Sequence, residues 1–170
     1  MQKKGKRKGY WFLLWFFLKI AFLVGAGYLL LLYVIFPARL AGNNMFPMLK
    51  DGDLCIFFRL DEVGTGDIVF YETKDGKTHV GRVIAFGGQT IDFPENGGYL
   101  VNGYETAEEL PYETYAAEKS MVSYPLELKE DEWFIMNDYR SDTKDSRMYG
   151  PIKTDEIKGK ILYMMRRRGF

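Results

Sequence analysis

From Trp11 to Phe36 the chain runs for 26 residues with Lys19 as the one charged side chain. A helix rises 1.5 Å per residue, so about 20 apolar residues cross a bilayer's hydrocarbon core. The run is therefore expected to be a transmembrane helix. Lys19 reaches toward headgroups along its own stem, and Ile20–Phe36 still leaves 17 apolar residues. The run is too long for a cleaved signal peptide, and Arg39 and Ala41 fit a small-residue cleavage site badly, so the helix is expected to be retained.

Charge divides at the same boundary. The first 36 residues contain no Asp or Glu but carry Lys3, Lys4, Lys6, Arg7, Lys8 and Lys19, leaving 17 basic against 23 acidic side chains in the rest of the 170-residue chain. The neutral total thus conceals a basic end and a part with net charge −6. Five basic residues before Tyr10 place residues 1–10 in the cytoplasm, residues 11–36 in the cell membrane and residues 37–170 outside, by the positive-inside bias. The basic Arg166–Arg168 stretch reads as a solvated tail.

The outer 134 residues suffice for one domain with its own core. No long helical period appears there. Short β-branched and aromatic runs recur instead, at Asp53–Phe58, Asp67–Tyr71, Thr78–Phe86, Thr90–Phe93, Tyr99–Val101, Glu132–Met136 and Lys158–Tyr163. Glycine turn signals separate them, with Asp75-Gly76 and Asn102-Gly103 the best hairpin turns. The fold class is mostly β, with residues 104–130 an excursion of unassigned structure. Cys55 excludes an internal disulfide and, within Leu54–Phe58, reads as a buried thiol. His79 alone makes no metal-ligand cluster, no phosphate-cradling loop precedes a helix, and no nucleic-acid motif is present. No cofactor, metal or nucleic acid is implied.

The segment Gly42-Asn43-Asn44-Met45-Phe46-Pro47-Met48-Leu49-Lys50-Asp51-Gly52-Asp53 resembles the nucleophile segment of type I signal peptidases, peptidase family S26, whose core is Ser-Met-x-Pro followed by a turn and Gly-Asp. Further blocks agree in order. Gly66-Asp67-Ile68-Val69 is similar to the family's Gly-Asp-Ile-Val strand and Gly81-Arg82-Val83-Ile84 to its Lys-Arg-Val-Ile segment. Asn137-Asp138-Tyr139-Arg140 and Asp145-Ser146-Arg147 resemble its Gly-Asp-Asn-Arg and Asp-Ser-Arg blocks, and Gly150 with Ile157-Lys158-Gly159-Lys160 completes the series. The resemblance implies a signal-peptidase-like β domain at a membrane surface, with an extended substrate added beside strands near the nucleophile. It places Asn44, Met45, Phe46, Pro47, Met48, Gly81, Arg82 and Val83 along that groove. It gives Asp138, Arg140, Asp145, Ser146 and Arg147 the work of bracing the site.

In the family a serine hydroxyl attacks the scissile carbonyl while a neutral lysine amine takes its proton, and the two act as a unit. Here those positions hold Asn44 and Gly81. An amide is a poor nucleophile, and glycine has no side chain. The first serine in the chain is Ser120, Thr65, Thr73, Thr78 and Thr90 lie outside the segment, and Lys50 reads as a solvated turn residue. His79 shares the strand face of position 81 but has no hydroxyl at 44 to activate.

Three readings follow. The first is an inactive homologue whose groove holds an extended segment without cutting it, Asn44 using its amide on the segment's backbone. Signal-peptidase-like proteins lacking the catalytic pair form a class beside pilin and sortase genes in Gram-positive bacteria, and the double loss and the Gram-positive-like anchor resemble that class. Its partners would be the lipid bilayer, a pilin or other secreted protein segment, and a sortase. The second is a working signal peptidase with an unrecognised nucleophile. The third takes Asn44 as a deliberate replacement, against which the loss at Gly81 speaks.

Overall fold

A computed structural model describes residues 5–73, 76–106 and 111–166. It falls into two units, residues 1–36 and 37–170. In the first, helix α1 (Gly5–Tyr33) includes the span Tyr10–Tyr33, long and apolar enough to cross a membrane, with none of its 18-residue apolar window buried. A long helix apolar on every side fits a single-pass membrane protein. The helix stops earlier than the apolar run. Val34 and Ile35 are β-branched, and Phe36 precedes Pro37, which disfavours the helical region, so the chain turns into strand β1 (Ile35–Arg39).

The second unit is built of short strands: β2 (Leu54–Phe58), β3 (Ile68–Glu72), β4 (Thr78–Phe86), β5 (Thr90–Asp92), β6 (Leu100–Val101), β7 (Tyr104–Glu105), β8 (Leu126–Glu127), β9 (Glu132–Met136), β10 (Ile152–Lys153) and β11 (Ile157–Met165). A seven-stranded sheet has the order β1-β2-β11-β3-β4-β9-β10, and a four-stranded sheet the order β7-β6-β5-β8. Every expected strand run is present within two residues at its ends. Asn102-Gly103 makes the expected two-residue hairpin, with φ of 52° and 80°. Asp75 lies outside the described residues, as do Arg167 and Arg168, but β3 and β4 pair antiparallel from Glu72 opposite Thr78. The excursion carries only β7 and β8 as strands among its described residues.

Strand alternation separates two cores. Trp133 and Ile135 of β9 pack with Val69, Tyr71, Val83 and Ile152 on one face. Phe134 and Met136 pack on the other with Ile84, Ala85, Ile91, Tyr99 and Leu128. A register shift between Val83 and Ala85 in the β4–β9 ladder lets β4 serve both. Cys55 is fully buried in β2, where burial, then the charge of Asp53, pushes its thiol from 9.0 up to about 11. A raised thiol pKa favours the protonated folded form, so that contribution to stability is intact below pH 9 and lost as pH rises toward about 11. Iodoacetamide at pH 8 should leave Cys55 unmodified in the native protein and alkylate it in denaturant, read by mass spectrometry.

Candidate functional site

The site rests on the loop between β1 and β2. Leu40 N–H donates to the Asp53 carbonyl at 2.9 Å and Gly52 N–H to that of Leu40 at 3.0 Å, closing the loop at its base. Gly42 N–H donates to Asp51 Oδ1 at 2.7 Å, and Asp51 N–H to Asn43 Oδ1 at 3.1 Å, bracing it across. Met45 and Leu49, each 1% exposed, plug it into the core. Asn44 is thereby fixed between a buried anchor and a closed turn. Its carbonyl accepts from Tyr139 N–H at 2.9 Å.

The Asn44 side chain is committed within the chain. Nδ2 donates one proton to the Val80 carbonyl at 2.9 Å and the other to Asn137 Oδ1 at 3.0 Å. The carbonyl of Val80 can only accept, so the nitrogen must face it. Both amide protons are thus used within the chain, on strand β4 and on the residue that follows β9.

Gly81 lies opposite Val69 in the β3–β4 ladder, on the face of Tyr71 and Ile135. A Cβ placed on it would stand 2.5 Å from Ile135 Cγ2, 3.3 Å from the Met136 carbonyl and 3.4 Å from Tyr71 Cε1. The room a base side chain would need is filled by core. Tyr71 offers no substitute, because burial first, then the nearby Asp145 charge, holds its hydroxyl far above the ordinary range and protonated. His79 stacks on Tyr71 with ring centroids 5.6 Å apart. Lys50 is exposed, its amine 5.2 Å from the Phe46 ring centroid.

The bracing residues are buried rather than a surface charge run. Asp145 Oδ1 accepts from Arg147 N–H and Nε, both at 3.0 Å, while Oδ2 accepts from Arg147 Nη2 at 2.7 Å and from Asn137 N–H at 2.9 Å. Arg147 also donates to the carbonyls of Arg140 and Asp142, each at 2.8 Å. Asp145 caps the short helix α2 (Ser146–Tyr149), and Ser146 Oγ accepts from Ile135 N–H at 3.0 Å. Arg140 Nη1 donates to the Asn137 carbonyl. One compact network thus fixes Ile135, which blocks position 81, and Asn137, which holds Asn44.

Other expected groove residues divide. Phe46 and Pro47 are half-buried and Met48 is 48% exposed, whereas Met45 and Val83 belong to the core. Arg82 turns away to Asp138, with Nε and Nη2 gripping both carboxylate oxygens at 2.7 and 2.6 Å and Nη1 donating to the Gly66 carbonyl at 2.7 Å. Its fork matches a carboxylate, and both of the Asp138 carboxylate oxygens are taken up by it. Among the described residues no group of three His, Cys, Asp or Glu side chains is placed to hold a metal ion. Sequence reasoning missed Asn137 and the Val80 carbonyl. A signal for Asn137 existed: it stands where the resembling block has glycine, a departure beside those at Asn44, Gly81 and Tyr139.

A family model described as "Signal peptidase, peptidase S26" matches residues 13–165. Signal peptidase IB of Staphylococcus aureus strain Mu50 is 26% identical over 164 residues, covering 85% of this chain and 81% of that protein. Signal peptidase I T of Bacillus subtilis strain 168 is 32% identical over 137 residues, covering 72% and 69%. The crystal structure of a signal peptidase I from Enterococcus faecalis V583 superposes with a TM-score of 0.50 at 21% identity, covering 61% of this chain and 98% of that one. The last likeness concerns the fold.

Proposed function

Because the chain belongs to the signal peptidase family, peptidase S26, we propose that it is a non-catalytic member that binds an extended segment of a secreted partner and assists its assembly, in sortase-dependent pilus building. The observation that carries this is the state of the two reacting positions. An Asn44 hydrogen-bonded through its amide offers no nucleophile, and the place of the base is filled by Ile135. Acyl transfer needs both groups together, so their joint loss removes the chemistry while the scaffold stays.

The scaffold retains a means of binding. Strand β9 covers β4 only from Arg82 to Phe86, so the Thr78–Gly81 end of β4 runs beyond it on that side. An extended segment adds there by main-chain hydrogen bonds. Phe46, Pro47 and Met48 supply apolar surface on the loop that reaches Val80. The basic residues before Tyr10 keep the N-terminus cytoplasmic, with the β domain outside among secreted partners such as a pilin and its sortase.

The test restores the protein to cells lacking it, as written, and follows pilus polymers and pilin preproteins. Polymers should return with no preprotein cleavage attributable to this chain. Cutting of a preprotein at one defined bond by the purified unaltered chain overturns the reading and makes it a working signal peptidase with another nucleophile.

A further inference from the structure

The backbone direction of β4 gives Asn44 a second meaning. Val83 N–H donates to the Asp67 carbonyl and Val83 C=O accepts from Gly66 N–H, so the polar groups of Val83 face the β3 side. Backbone groups alternate sides along a strand, which turns those of Val80, three residues away, to the opposite side, the one β9 leaves open before Arg82. That side is where the Asn44 amide lies, donating to the Val80 carbonyl as the N–H of an added strand would. A side-chain amide is chemically a peptide group, and its second proton is held by Asn137.

We infer that Asn44 is a latch on the β4 edge, which an incoming extended segment must displace to pair with Val80. The inference rests on the groove reading above and supplies its regulation. A strand edge with unpaired groups recruits chains indiscriminately, and a removable internal donor blunts that hazard without closing the edge. The hinge is confined to the side chain, because Tyr139 N–H holds the Asn44 carbonyl and Met45 anchors the next residue. Asn44 and Asn137 are both departures from the resembling motifs, and they bond each other. A serine at 44 lacks the second proton that would reach both oxygens at once.

The probe is a fluorescein-labelled ten-residue peptide containing an Ala-x-Ala segment, titrated by anisotropy onto the full chain in lipid nanodiscs. Asn44→Ala should bind it about tenfold tighter than the unaltered chain, since no hydrogen bond has to be broken first. Asn44→Asp, with no donor and its carboxylate facing two acceptor oxygens, should bind tighter as well. In the unaltered protein the Asn44 side-chain amide resonances should shift as the peptide is added, a readout that needs no variant to fold. Unchanged or weaker binding by Asn44→Ala, or amide resonances that stay in place while the peptide binds, overturns the latch and leaves the groove. Absence of binding to any version overturns the groove reading and the latch with it.

Discussion

Arg147→Ala is expected to lower the unfolding free energy by about 3–5 kcal/mol, the usual cost of removing one partner of a buried ion pair. Arg147 is fully buried and Asp145 is 2% exposed, so the carboxylate left behind would have neither its cation nor water. The carbonyls of Arg140 and Asp142 would lose donors at the same time. For a domain of 134 residues the melting temperature should fall by about 10–15 °C, measured by circular dichroism. Replacing both partners with apolar residues of similar volume should recover part of the loss, because that removes the stranded charge. Recovery should stay incomplete, since Asp145 also accepts from Asn137 N–H. A loss below about 1 kcal/mol for Arg147→Ala would mean that the network braces nothing.

Rebuilding the reacting pair should fail for a steric reason. Gly81→Lys forces a Cβ to within 2.5 Å of Ile135 Cγ2, at a position paired with Val69 of β3, and overpacking of this kind costs about 1–3 kcal/mol. Its amine would then meet the same apolar core, a further penalty for any charged form. Asn44→Ser with Gly81→Lys is therefore expected to cut no preprotein in a gel assay. Ile135→Ala should cost less in the Gly81→Lys background than alone, with a coupling of about 0.5–3 kcal/mol in a double-mutant cycle of chemical denaturation. Independent costs would place the obstruction elsewhere. Efficient cleavage by the double variant would mean that position 81 has more room than Ile135 leaves it.

Most strands were legible because their alternation and their glycine turns are local properties, as in Leu54–Phe58 between Gly52 and Gly64. The end of α1 was not, because Val34, Ile35 and Phe36 suit a bilayer and a strand equally, and only Pro37 marks the change. Strands β7, β8 and β10 have two residues each, too few for a period. At the site, Asn44 and Gly81 stood out against a motif, and the Asp145-Ser146-Arg147 block did so in the same way, though its burial was not legible. The acceptor at Val80 was invisible because it is a backbone atom and every residue has one. The filling of position 81 by Ile135 was equally hidden: alternation assigns Ile135 to a face, but a contact between β4 and β9 depends on register and on the shift beside Val83. The Arg82 pairing was hidden for a related reason, since its fork finds Asp138, 56 residues away.

Strand β11, the last of the described strands, lies between β2 and β3, which come about a hundred residues earlier. A chain synthesised from its N-terminal end onward cannot close this sheet until residue 165 has emerged. Until then β2 and β3 each wait with one flank unpaired, the condition in which nascent chains recruit chaperones or aggregate. Maturation is thus governed by synthesis of the final stretch, and a ribosome stalled before it would leave an open sheet for the cell's quality-control proteases.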